Sequence, residues 1–315
     1  MMAPGLILAL LLWDRGSISL GSAYLIFNYC NLVSSPLQDF RNHMGDMQSA
    51  RAGILRCGEF LDLPPGTGAG KQSLPNGALT LTVKDLRFSY GNNTGENNTE
   101  VLKGVNITIP AGGKTGVMGE TGCGKSTLLS LIAALNPYGQ GSIRLNGIEL
   151  KEIASASLRD RIAYCTQQVQ IIHGTIRENI TLFDEQFSDR DILEAIEALR
   201  LTDWFKKFPE GLDTRLEMGE DNLSSGEAQL LALVRLALKR PGLVLLDEIS
   251  SSLDAVTERR ITGAVKALCE GRTVLAIAHR REALDWMDAV MRMENGVLLT
   301  PEAGTGRPGG EYVHE

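Results

Sequence analysis

The chain lacks a surplus of basic charge: 31 Lys and Arg stand against 38 Asp and Glu, a formal net charge of −7. That balance argues against a protein whose main work is gripping nucleic-acid phosphates. The cysteines form no disulfide framework, since the 5 present are odd in number and scattered, a usage that suits a reducing cytosol. A secretory leader is missing too, because the apolar run over residues 3–13 has neither a basic flank before it nor a small-residue cleavage site after it. At ~10 residues that run is too short to cross a ~30 Å hydrocarbon core. With 22% charged residues and a mean hydropathy of −0.04, the composition excludes both a disordered chain and a purely membrane-embedded one. At ~150 residues per domain, 315 residues make roughly two units, one of them large enough for a full core.

Hydrophobicity is unevenly spread. A second apolar stretch over 17–35 would be roughly 28 Å long as a helix, just enough for a membrane span. It carries Asn28, Asn31 and several serines, which suit either a helix lining a path or one glued by small and polar residues to neighbouring helices. Arg41, Arg51, Arg56 and Lys71 follow it, which places that side in the cytoplasm. Residues 1–63 therefore read as a partial transmembrane domain: the apolar fragment 3–13, the span 17–35 and a helical connector over 36–63. A Gly/Pro/Ser linker follows over 64–77. From Ala78 to about 300, short β-like runs alternate with helical ones, which predicts an α/β domain with a largely parallel sheet. Those runs are LTLTV, VNITI, TGVMG, then Val244 to Leu246 and TVLAIA. The stretch Gly91 to Glu100 reads as an exposed loop, and residues 301–315 as a disordered tail.

The chemistry is carried by Gly119-Glu120-Thr121-Gly122-Cys123-Gly124-Lys125-Ser126, a GxxxxGK[ST] run preceded by an apolar strand and followed by a helix with Leu128, Leu129, Leu131, Ile132 and Leu135 at buried spacing. Glycines let backbone N–H groups wrap phosphates, and the helix N-terminus adds positive potential. Lys125 is then placed for the β/γ-phosphates and the Ser126 hydroxyl for Mg²⁺. Cys123, inside this loop, is either a thiol made acidic by the helix N-terminus or simply a small side chain that fits. Further on, Gly242-Leu243-Val244-Leu245-Leu246-Asp247-Glu248 is an apolar run ending in two acids. Such a run is a buried parallel strand delivering carboxylates to the C-terminal edge of the sheet, where α/β ligands bind. Asp247 is placed for the Mg²⁺ shell and Glu248 to orient or deprotonate the attacking water.

Between them lies Leu223-Ser224-Ser225-Gly226-Glu227-Ala228-Gln229. Here the chain resembles the ATP-binding-cassette (ABC) ATPases, whose signature is of the LSGGQ type, and the resemblance runs from about Leu79 to Leu298. It implies a P-loop NTPase α/β fold with a parallel-sheet core, an antiparallel β part and a helical subdomain. It implies ATP and Mg²⁺ as cofactors, with ATP contacts at Tyr90, stacked on adenine, and from Gly119 through Ser126 to Thr127. Gln167 matches the glutamine that touches metal and water, Asp254 the D-loop, and His279 the switch histidine near the γ-phosphate. Metal contacts then fall to Ser126, Gln167 and Asp247, and catalytic roles to Glu248, His279 and Gln167. Leu223, Ser224, Ser225, Gly226 and Glu227 would close on the ATP of a second ABC subunit in a head-to-tail dimer, homo- or heteromeric.

The apolar N-terminal part, the stretch GEFLDLPP and the phrase HGTIRENITLF are similar to the C-terminal half of an exporter-type protein. That resemblance implies a location in the cell (plasma or inner) membrane with a cytoplasmic ATPase domain, transmembrane helices of the same or another chain as partners, and an unidentified solute moved at the expense of ATP. Three departures stand out: one span and a fragment where such halves carry six helices, Glu217 and Met218 where a glycine-rich loop is usual, and Glu227 in place of the signature Gln. Two other readings stand beside the exporter: a truncated chain that binds ATP without transporting, and a soluble ABC ATPase.

Overall fold

The computed structural model describes residues 7, 11–61, 70–90, 100–166, 169–216, 223–247, 255–279 and 281–299. The chain divides into two compact units, Met1–Pro65 and Gly66–Glu315.

In the first unit the stretch read as a span and the stretch read as a connector form one helix, α1 (Leu20–Leu61). Its start is capped by Ser19, whose Oγ accepts from the Ser22 N–H at 3.2 Å. The helix runs on through Pro36, at the cost of the one backbone donor that proline lacks. No helix among the described residues is long and apolar enough to cross a membrane. Polar side chains such as Asn28 break up the first half of α1.

The second unit contains β1 (Leu81–Ser89), β2 (Glu100–Ile109), β3 (Lys114–Gly119), α2 (Lys125–Ile132), β4 (Gln140–Leu145), β5 (Ile148–Glu149), α3 (Ser155–Arg161), β6 (Ile162–Cys165), β7 (Gly174–Thr175), α4 (Ile176–Thr181), α5 (Asp189–Ala198), α6 (Thr202–Phe205), β8 (Arg215–Leu216), α7 (Ser225–Leu238), β9 (Leu243–Asp247), α8 (Ala255–Leu268), β10 (Thr273–Ala278), β11 (Ala289–Glu294) and β12 (Val297–Leu299). One sheet is antiparallel in the order β2-β1-β4-β5. A second has the order β12-β11-β3-β10-β9-β6 and is parallel apart from β12, and β7 and β8 pair as a small antiparallel sheet of their own. The five β-like runs read from the sequence fall on β1, β2, β3, β9 and β10.

The central strands are buried on both faces, which is why they read as unbroken apolar runs. Successive side chains alternate between two cores. Leu243 and Leu245 of β9, with Leu275 and Ile277 of β10, pack into the core under the antiparallel sheet and α2. Val244, Leu246, Val274 and Ala276 pack into the core built with α4, α5 and α7, around the buried Trp204.

The residues just ahead of β1 are held against this unit. Leu74 is buried, and its N–H donates to Ser157 Oγ at 2.8 Å. The buried Arg161 donates to the carbonyls of Pro75, Gly77 and Arg240 at 3.0, 2.6 and 2.8 Å. The second half of the sequence-read linker is thus tied down by side chains from α3, more than eighty positions along the chain.

Candidate nucleotide site

The parallel register of β3, β10 and β9 brings three sequence-predicted groups to one sheet edge. Met118 pairs with Ala278, and Ile277 with Asp247, so the phosphate loop, His279 and Asp247 all leave the sheet at its C-terminal ends.

The loop between β3 and α2 needs glycine at two of its positions for steric reasons. Gly124 sits in the left-handed region at φ 109°, and a Cβ there would meet Leu102 Cδ2 at 2.8 Å. At Gly119 a Cβ would collide with the Met293 carbonyl oxygen. Lys125 follows as the first residue of α2 and is 5% exposed. Its Nζ donates to the carbonyls of Gly119 and Glu120 at 2.8 and 2.7 Å and lies 3.8 Å from Cys123 Sγ. A buried ammonium met by carbonyl dipoles and a thiol is a strong cationic centre, suited to a ligand carrying several negative charges.

Ser126 is exposed at the mouth, and its Oγ donates to Asp247 Oδ1 at 3.3 Å. The hydroxyl of Tyr164, on β6, donates to Asp247 Oδ2 at 3.2 Å. Burial first, then the Asp247 charge and this hydrogen bond, push the Tyr164 phenol well above its ordinary pKa, so it stays a donor. The oxygens of Ser126 and Asp247 are hard donors side by side, and no group of three or more His, Cys, Asp or Glu among the described residues could hold a metal. That set fits Mg²⁺, which takes one or two protein oxygens and fills its remaining positions with phosphate and water.

Tyr90 stands 54% exposed beside the loop. Its ring meets Phe88 edge-on at 4.8 Å, and its hydroxyl hydrogen-bonds with Thr127 Oγ1 at 3.2 Å, which presents an aromatic face next to the start of α2. His279 lines a cavity of 780 Å³ together with Glu120, Thr121, Gly122, Cys123 and Arg281. Cys165 and Cys269 are different in kind from Cys123: both are buried, and burial pushes their thiols up to about 12.

Leu223 to Glu227 form the entry to α7. Ser224 is its N-cap: its Oγ accepts from the Glu227 N–H at 3.3 Å, and Glu227 Oε2 accepts from the Ser224 N–H and Oγ–H at 3.2 and 3.3 Å. Lys207 Nζ donates to Glu227 Oε1 at 3.3 Å. Ser225 is exposed, Gly226 is buried, and Leu223 packs against the helical core. Among the described residues no hydrogen bond joins this segment to the phosphate loop. The sequence-predicted Gln167, Glu248 and Asp254 lie outside the described residues.

Tyr164 is the site residue that sequence reading missed. Its signal was indirect: a tyrosine within an apolar run three residues before Gln167, on a strand whose neighbour only the sheet order reveals.

Residues 102–251 match the family model described as ABC transporter. The chain is 32% identical over 285 residues to the uncharacterized ABC transporter ATP-binding protein YfiC of Bacillus subtilis, covering 90% of this chain and 47% of that protein. It is 31% identical over 292 residues to the ATP-dependent lipid A-core flippase of Photobacterium profundum, covering 92% and 49%. It is 31% identical over 294 residues to the beta-(1→2)glucan export ATP-binding/permease protein NdvA of Agrobacterium vitis, covering 93% and 50%. The chain thus spans about half the length of the curated relatives it matches. In fold it is similar to a bacterial Atm1-family ABC exporter with ATP bound, at a TM-score of 0.68 and 23% identity, over 95% of this chain and 52% of that one.

Proposed function

We infer, for a chain that carries an ABC transporter ATP-binding domain, that it binds and hydrolyses Mg²⁺·ATP as part of an exporter-type ABC transporter. The observation that carries this reading is the shared sheet edge, where a buried Lys125 sits within the phosphate loop and the Ser126 hydroxyl meets Asp247 at 3.3 Å. Lys125 and the N–H groups of the loop would hold the phosphates, and Tyr90 would stack on the adenine. Ser126 and Asp247, with Gln167, would hold the metal, which supplies charge neutralisation on the phosphate oxygens.

Hydrolysis needs a water aligned on the γ-phosphate. We assign its orientation or deprotonation to Glu248, and a γ-phosphate contact to His279. Leu223 to Glu227, at the entry to α7, would complete the site of a second ABC subunit, with Ser224 and Gly226 closest to its γ-phosphate. ATP would then join the two subunits, and its hydrolysis would release them. The 31% identity to the flippase and to the glucan export protein supports coupling of this cycle to export of a solute through transmembrane helices, with the ATPase domain on the cytoplasmic side. D-loop Asp254 would sit at the subunit boundary.

The test is Glu248→Gln in the full chain. ATP binding measured by calorimetry should persist, a nucleotide-held dimer should accumulate on size exclusion, and phosphate release should fall by roughly a hundredfold or more. Unchanged phosphate release would overturn the assignment of Glu248.

A further inference from the structure

We propose that Tyr164 is a positioning residue for Asp247: its hydroxyl orients the carboxylate toward the metal that accompanies ATP. The proposal rests on the reading of Asp247 as part of the Mg²⁺ shell.

Strand geometry makes the contact. β6 is the edge neighbour of β9, parallel to it, with Tyr164 opposite Leu245. Side chains two apart on a strand share a face, so Asp247 is the next residue of β9 on the face of its partner Leu245, and the phenol is long enough to reach it. The hydroxyl donates to Oδ2 at 3.2 Å while Ser126 Oγ donates to Oδ1 at 3.3 Å. Each carboxylate oxygen therefore has its own donor, arriving from a different element, and the two together fix the plane of the carboxylate. A Ser126 oxygen that would hold a metal can keep its proton on Oδ1, which leaves Tyr164 as the donor to Oδ2. A donor in that role tunes metal affinity without touching the metal.

Packing holds the ring on one side only, against the core under the antiparallel sheet. The ring is only half-buried and lines a mainly apolar groove of 340 Å³ with Ala134, Leu135, Leu158 and Leu182. The hydroxyl bond is what ties the ring to Asp247. Tyr164→Phe, which removes one oxygen from a half-buried ring, should leave the fold intact.

The experiment compares the affinity of the full chain for a non-hydrolysable ATP analogue in EDTA and in Mn²⁺, for the unaltered protein, Tyr164→Phe, Asp247→Asn and the double variant. Tyr164→Phe should bind the metal-free analogue as the unaltered protein does, and gain less from Mn²⁺ by about fivefold. Asp247→Asn should lose most of the gain, and adding Tyr164→Phe to it should change nothing further, because the hydroxyl acts through that carboxylate. If Asp247→Asn lowers the gain and Tyr164→Phe does not, the positioning role is overturned and the site reading stands. An additive double variant overturns it likewise. If Asp247→Asn itself leaves the gain unchanged, the metal role of Asp247 fails, and this proposal with it. A second measurement keeps the tyrosine: 3-fluorotyrosine placed at position 164 should shift its fluorine resonance on Mg²⁺·analogue binding, and lose that shift in Asp247→Asn. An unmoved resonance in the otherwise unaltered chain overturns the proposal.

Discussion

Two helix N-termini in this molecule present the same backbone donors and treat them in opposite ways. At α2 the N-cap is Gly124, which has no side chain to accept from the helix, and the first residue is the buried Lys125. At α7 the N-cap is Ser224, and a reciprocal box with Glu227 satisfies donors at that end from within the chain. The first end leaves its N–H groups and its dipole to a ligand; the second is capped by its own serine and carries a carboxylate where an anion would approach. The lesson is that a serine-glycine sequence at a helix start does not by itself make an anion site. What decides is whether the chain has already supplied the acceptor. At α7 Lys207 offsets part of the Glu227 charge, so closure on a second subunit's phosphate would require Ser224 to exchange one acceptor for another.

The largest expected effect removes the feature that sets α2 apart. Lys125→Ala should lower ATP affinity by roughly a hundredfold, because the cation proposed to meet the phosphates is lost, while the unfolding midpoint stays close to that of the unaltered chain. Calorimetric titration with ATP decides it, and equal affinity would mean that the phosphates are held elsewhere.

Next comes the removal of the glycine that lets α2 begin in the left-handed region. Gly124→Ala forces a left-handed backbone and a contact with Leu102 Cδ2 at 2.8 Å, so it should destabilise by about 2 kcal/mol and weaken ATP binding together. Denaturant melts with and without ATP would separate the two losses, and an unaltered midpoint would show that the loop relaxes freely.

The smallest effect lies at α7. Burial works to raise the Glu227 pKa, yet hydrogen bonds from Ser224 and the pairing with Lys207 bring it below the ordinary glutamate range. A group depressed on folding adds stability that is in place above its unfolded pKa and is lost as pH falls through its folded one. Stability measured from pH 7 down to below 4 should therefore fall on the acid side, and Glu227→Gln should flatten that fall by a few tenths of a kcal/mol. The same variant should tighten any ATP-driven association, since it removes a negative charge from the end that we propose meets a second subunit's phosphate. A steeper acid fall would reverse the sign assigned here.

How far the site could be read in advance varied with the physics of each residue. Lys125 and Ser126 are bound to the loop by local geometry, so a motif of eight residues between a strand and a helix reveals them. Asp247 is legible because a strand buried on both faces is apolar throughout, and the first acid after it must lie at the sheet edge. Tyr164 was not legible, because it meets Asp247 across a strand pair 83 positions apart, and pairing between parallel strands leaves no local trace. The packing of residues 70–77 was hidden for the same reason: a Gly/Pro/Ser composition describes a flexible segment, and partners about eighty positions away, Ser157 and Arg161 of α3 among them, tie it down.

The sequence alone determined the phosphate loop, the acidic end of β9, the order of the motifs and the alternation that makes an α/β unit, all of which depend on neighbours along the chain. Only the tertiary structure decided that Asp247 has a donor on each oxygen, that Tyr90 leans on Phe88 and Thr127, and that Lys207 faces Glu227. Apart from the Phe88–Tyr90 pair, those contacts join residues brought together by strand order and helix packing. Their strength depends on distance and burial, which no pattern of residue types contains.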